Sequence, residues 1–151
     1  MADTVTRERR SEIMSNIRAK GMKPEMIVRR ITHAMGYRYR LHRKDLPGKP
    51  DLVFPARRKV IFVHGCFWHQ HADPECTLAR RPKSNQDYWL PKLERNVVRD
   101  ADHLTTLRLM GWDVLVIWEC EIKKDAGIAK RIRQFLDTEP GYTGMKSKSL
   151  D

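Results

Sequence analysis

The chain predicts a single α/β domain in which a central sheet is flanked by helices. Three observations carry that expectation. Stretches with helical periodicity are interspersed with apolar runs of strand length. The 151 residues suit one hydrophobic core. No internal repeat divides the chain.

Taken in order, residues 7–20 (RERRSEIMSNIRAK) read as a basic helix carrying Ile13, Met14 and Ile17 at helical spacing, ended by Gly21. Pro24 and Glu25 open a second helix, whose apolar stripe of Met26, Ile27, Ile31 and Met35 stops at Gly36. Tyr37 to His42 alternates enough to form a short strand. The turn Leu46 to Pro50 (LPGKP) leads into Asp51 to Phe54, and after PARRK the run Val60 to Val63 reads as its hairpin partner. Gly65 to Lys83 is rich in Cys, His, Asp and Pro and predicts no regular element. Gln86 to Met110 is a long helix with Trp89, Leu93, Val97, Leu104 and Leu107 inward, ended by Gly111. Trp112 to Trp118 (WDVLVIW) has the near-continuous apolar character of a central strand covered on both faces. Ile122 to Phe135 gives a last amphipathic helix. The domain is expected to span 1–138, and the tail 139–151, with Gly141, Gly144, Lys146 and Lys148, has too little apolar content to fold.

Lys and Arg number 30 against 19 Asp and Glu, a net charge of +11 that suits a polyanion such as nucleic acid and equally suits a merely solvated basic surface. No run approaches the roughly 18 apolar residues that a membrane span needs, and the start MADTVTRERR lacks the apolar segment of a secretory signal. A cytoplasmic protein without a membrane partner is therefore expected. Three cysteines, Cys66, Cys76 and Cys120, do not make a disulfide framework in a reducing compartment, which leaves metal ligation, a nucleophile or inert burial.

The segment CFWHQHADPEC places Cys66, His69, His71 and Cys76 in one loop, and Cys120 arrives at the end of the Trp112 strand. A tetrahedral Cys3His set of Cys66, His71, Cys76 and Cys120 for structural Zn2+ uses every cysteine of the chain. The competing reading is three buried thiols beside a surface histidine. His69 is left over, free for chemistry or simply solvated.

Asp51, fixed at the start of a strand, is a suitable anchor for a hard cation such as Mg2+. Many metal-dependent nucleases follow such a Pro-Asp with an acid-x-Lys motif on the next strand, but here that strand reads KVIFVHG, with His64 where an acid or a lysine is expected. Histidine can transfer protons near neutral pH, so His64 and His69, flanking Cys66, are candidates beside Asp51. Satisfied structural histidines are the alternative.

The blocks PGKPDLVF, HGCFWHQH, YWLPKLERNVVRD and GWDVLVIWEC, with RRSEIMSNIRAKGMKPE at the N-terminal side, resemble the very short patch repair (Vsr) DNA mismatch endonuclease family over roughly residues 8–136. The resemblance implies a restriction-endonuclease-like core with a mixed sheet, acting on double-stranded DNA. It implies nicking of one strand on the 5′ side of the thymine in a T:G mismatch left by deamination of 5-methylcytosine. It further implies catalytic Mg2+ on the Asp51 carboxylate and the Val63 main-chain carbonyl, with His64, His69, Glu25 and Asp100 around the scissile phosphate. Where the family often has Thr, this chain has Val63, which a main-chain ligand tolerates. The same mapping assigns Zn2+ to Cys66, His71, Cys76 and Cys120. It makes Phe67, Trp68 and Trp89 a wedge between bases, a role to be weighed against core packing. The basic helix with Arg7, Arg9, Arg10, Arg18 and Lys20 would hold phosphates. The resemblance suggests a monomer and leaves open a handover to DNA repair proteins. Two rivals remain: a restriction-type endonuclease cutting paired DNA, and a non-catalytic zinc-dependent DNA-binding protein.

Overall fold

The computed structural model describes residues 23–41, 43–124 and 127–138. The expected N-terminal helix with Arg9, Arg10, Arg18 and Lys20, and the expected tail, lie outside them. The described elements are α1 (Pro24–Ala34), β1 (Leu52–Phe54), β2 (Lys59–His64), α2 (Cys66–His69), α3 (Gln86–Leu109), β3 (Asp113–Trp118), α4 (Glu119–Lys123) and α5 (Ile128–Asp137). Short 3-10 turns occupy Pro55–Arg57 and Thr77–Ala79.

The sheet order is β1-β2-β3, with β1 antiparallel and β3 parallel to β2, so the sheet is mixed. The expected hairpin is present, turning through Arg58 in left-handed backbone at φ 56°. Side chains alternate across β2. Ile61 and Val63 enter a core with Ile27, Val28 and Ile31 of α1 and Ile128, Ile132 and Leu136 of α5. Val60 and Phe62 enter a second core with Leu107 of α3 and Trp112. Helices therefore cover both faces, and the same alternation turns His64 toward the α3 face.

Lys59 begins β2 almost wholly buried, at 1% exposure. Its ammonium donates to the carbonyls of Phe135 and Thr138 at 2.5 Å each. It thereby satisfies carbonyls at the C-terminal end of α5, where a positive charge is also favoured by the helix dipole. Burial lowers its pKa.

Five expectations are corrected. The strand at Tyr37 to His42 reduces to one bridge, Arg40 with Val53. The Trp112 run is an edge strand of the described sheet, and the central one is β2. Its apolar side chains are explained by packing on both faces, which covers an edge strand as well as a central one. The last helix is two, α4 and α5, separated before Gly127, which sits at φ 66°. Val97 is 40% exposed, because the long α3 turns only residues such as Leu93 and Leu107 fully inward. Gly65 to Lys83, moreover, contains the single turn of α2 and a 3-10 turn.

Candidate active site and metal cluster

The parallel register of β2 and β3 pairs His64 with Trp118. Each strand ends there, and two residues later each chain carries a cysteine, Cys66 and Cys120, the backbone N–H of Cys120 lying 3.4 Å from the Cys66 sulfur. The loop after α2 brings His71 and Cys76 to them. One ligand atom from each of Cys66, His71, Cys76 and Cys120 lies within 4.8 Å of all the others. His71 Nδ1 is 3.8 Å from the Cys66 sulfur and 3.3 Å from the Cys120 sulfur. The edges of a tetrahedron of sulfur and nitrogen ligands around zinc are roughly 3.4–3.8 Å, so the spacing suits that ion. The donor set suits it too. Burial pushes the Cys66 thiol up to about 12, so a thiolate there needs a cation beside it.

The loop is held by other contacts as well. Gln70, in left-handed backbone at φ 49°, ends α2, and its side-chain amide donates to Phe67 O at 2.7 Å and Ala79 O at 3.1 Å. The His71 ring stacks on Trp118 at 4.2 Å.

At the other end of α2, His69 lies parallel to His64, ring centroids 3.9 Å apart and planes 6° apart. His69 Nδ1 is 2.6 Å from Asp100 Oδ2 on α3, which leaves Nε2 directed elsewhere. His64 is buried, and its Nδ1 has no hydrogen-bond partner among the described residues. Burial, with the neighbouring His69, pulls its pKa down to about 4, so the ring is neutral at pH 7.

Asp51, His64, His69 and Asp100 all line one cleft of about 150 Å³, together with Gly48, Lys49, Val63 and His103. The Asp51 carboxylate accepts the Val63 N–H at 2.6 Å. The N–H and carbonyl of one strand residue point to the same edge, so the Val63 carbonyl faces the Asp51 side. A second cavity, about 130 Å³, lies on the far side of Asp51 and is lined by Glu25, Arg29, Lys44, Lys49 and Pro50. Burial pushes Asp51 up to about 6, opposed by the Val63 hydrogen bond and assisted by the charge and hydrogen bond of Glu25. Glu25 itself pairs with Arg29 one turn along α1. Oxygen donors crowded in this way suit a hard divalent cation.

The rings of Phe67, Trp68 and Trp89 form a cluster with centroids 5.1–5.7 Å apart. Trp68 is 47% exposed and Phe67 and Trp89 are half-buried, so these rings lie outside the buried cores. Of the described site residues expected from the sequence, Glu25 lines the second cavity beside Asp51, and the others fall in the cysteine cluster, the cleft or the aromatic cluster. Lys49 and His103 were missed. Lys49 is two residues before Asp51, and His103 is three residues after Asp100 on the same helix, a spacing that could have found it.

The family model for DNA mismatch endonuclease Vsr matches residues 2–76. The chain is 49% identical over 137 residues to the type II nicking enzyme V.XorIIP of Xanthomonas oryzae pv. oryzae, covering 91% of this chain and 98% of that protein. It is 33% identical over 141 residues to DNA mismatch endonuclease Vsr of Escherichia coli, covering 90% and 88%. The chain belongs to the Vsr family. Another relative, the type II nicking enzyme V.NmeAIP of Neisseria meningitidis, is 40% identical over 136 residues, covering 90% and 95%. Among the described residues, no helix is long and apolar enough to cross a membrane.

Proposed function

We propose that this Vsr-family chain is a magnesium-dependent endonuclease with a restriction-endonuclease-like core. It nicks one strand of duplex DNA on the 5′ side of the thymine in a T:G mismatch. The observation that carries the reading is the meeting of Asp51, His64, His69 and Asp100 in one cleft, at the opposite end of a single helical turn from the cysteine cluster. The relatives named as a mismatch endonuclease and as nicking enzymes support it.

Asp51 and the Val63 carbonyl would hold Mg2+, with Glu25 beside them; the ion would supply an acidified water and neutralise charge gathering on the phosphoryl oxygens. Asp100 fixes His69 with Nδ1–H toward the carboxylate, so Nε2 is the free base that takes a proton from the attacking water. The stacked His64 ring, kept neutral by burial, shapes the pocket and presents a second imidazole to the leaving oxygen. Cys66, His71, Cys76 and Cys120 would hold Zn2+ as a structural ion. Phe67, Trp68 and Trp89 would enter the base stack at the mismatch, where a mispaired step costs less to unstack and apolar rings replace the lost stacking.

The test compares a T:G duplex with the fully paired duplex of the same sequence, with and without Mg2+. The expected result is a nick in the thymine strand only, requiring Mg2+ and reduced by at least about 1,000-fold in Asp51→Ala, because such sites depend on the metal's charge stabilisation. Equal double-strand cutting of both duplexes would point instead to a restriction-type enzyme. Tight binding without any cleavage would point to a DNA-binding protein.

A further inference from the structure

On β2, His64 stands where nucleases with a Pro-Asp strand commonly carry an acid or a lysine, so the usual cation for the phosphate is missing from that position. We propose that Lys49, on the turn before β1, supplies it: its ammonium holds the scissile phosphate against Asp51. The inference rests on the endonuclease reading above and adds a substrate contact to it.

Three observations place Lys49 in that role. Apart from Asp51 itself, it is the one residue that lines both cavities flanking the Asp51 carboxylate. Its charge is not spent elsewhere. Among the described residues Lys49 makes no ion pair, while the nearby acids already have partners, Glu25 in Arg29 and Asp51 in the Val63 N–H. A basic residue without an acid partner among the described residues, lining both cavities beside Asp51, is placed to meet an anion brought in by the substrate.

The third observation is that its backbone is built rather than loose. Lys49 has a left-handed φ of 51°, uncommon for a residue with a side chain, and it stands directly before a proline, which favours extended backbone. Neighbouring contacts hold it there. Its N–H donates to Leu46 O at 3.2 Å, and Leu46 is buried in the core under α3. Gly48 has φ 76°, and any Cβ there would meet the His103 ring and Cβ at 3.0–3.1 Å. His103 is thus a positioning residue, the wall against which the turn is seated.

The experiment uses the full-length protein carrying Lys49→Met or Lys49→Arg, each checked for zinc content and thermal unfolding against the unsubstituted chain. Loss of one phosphate contact should reduce the slope of log Kd against log salt by about 0.9 in K49M and leave it unchanged in K49R. Single-turnover nicking of the T:G duplex by K49M should fall about 100-fold, as when one transition-state donor is removed. Replacing the scissile phosphate by an uncharged methylphosphonate should bring K49M and the unsubstituted chain to equal affinity. An unchanged salt slope in K49M overturns the proposal, as does an affinity gap that survives the methylphosphonate. If the unsubstituted chain leaves the T:G duplex uncut, the endonuclease reading fails, and the salt slope still decides whether Lys49 holds a phosphate.

Discussion

The two ends of α2 face opposite problems. At its start, Cys66 joins a compact set of thiols and an imidazole whose members have one another as near neighbours and, with a cation among them, need nothing further. At its end, His69 opens onto a cleft where polar groups are held under poor terms: Asp51 is pushed up to about 6 by burial, and among the described residues a buried His64 nitrogen has no partner. With the proposed zinc ion, groups in the first region would stabilise the chain, whereas those in the second cost stability and are retained by the surrounding fold. Such unfavourable clustering of titratable groups is common at sites that do chemistry.

The largest expected effect is at the cluster. Cys120→Ser should reduce bound zinc well below one equivalent and lower the thermal midpoint by more than about 10 °C, because structural zinc binding contributes directly to folding free energy. Retention of a full equivalent with an unchanged midpoint would show that the cluster is not the zinc site. Next comes the cleft's orienting hydrogen bond. Asp100→Asn should slow nicking by at least about 100-fold at unchanged zinc content, because His69 loses the carboxylate that fixes its tautomer. A wild-type rate would remove the His69–Asp100 pair from the mechanism.

The smallest effect sharpens the contrast by reversing its sign. The Asp51 carboxyl has a folded pKa of about 6 against an ordinary value of 3.8, so the folded state holds its proton more tightly than the unfolded state does. Stability from this group is present below pH 4 and is lost as pH rises toward and past 6, opposite to the trend of a salt-bridged aspartate. In magnesium-free buffer Asp51→Asn should therefore be more stable than the unsubstituted chain at pH 8, by on the order of 1 kcal/mol after allowing for partial solvation. The two should converge at pH 4. Urea unfolding at both pH values measures this, and an equal or less stable variant at pH 8 would contradict the assignment of Asp51 as a strained group.

The site was more legible in the sequence than the sheet. Cysteine and histidine crowded into CFWHQHADPEC point to one another by chemistry alone, and Cys120 is drawn in because the ends of two paired strands must be close. The Asp51–His64 relation follows from a tight hairpin. Strand order is harder to read, because the apolar content of Trp112 to Trp118 reports coverage of two faces and says nothing about whether a neighbour lies beyond its edge. Tyr37 to His42 had the alternation of a strand, but among the described residues only Arg40 finds a partner, in Val53. Lys49 was overlooked because a lysine in a turn is ordinarily solvated; its meaning comes from the cavities on either side of Asp51, which depend on α1 and α3 packing against opposite faces of the sheet.

Helix α2 is four residues long, and a single turn of helix does not persist unaided in water. Its first residue belongs to the cysteine cluster and its last to the cleft, so the placement of His69 depends on the cluster as well as on Asp100. On the proposed zinc site, loss of the ion would loosen α2 at its start and with it the seating of His69 in the cleft.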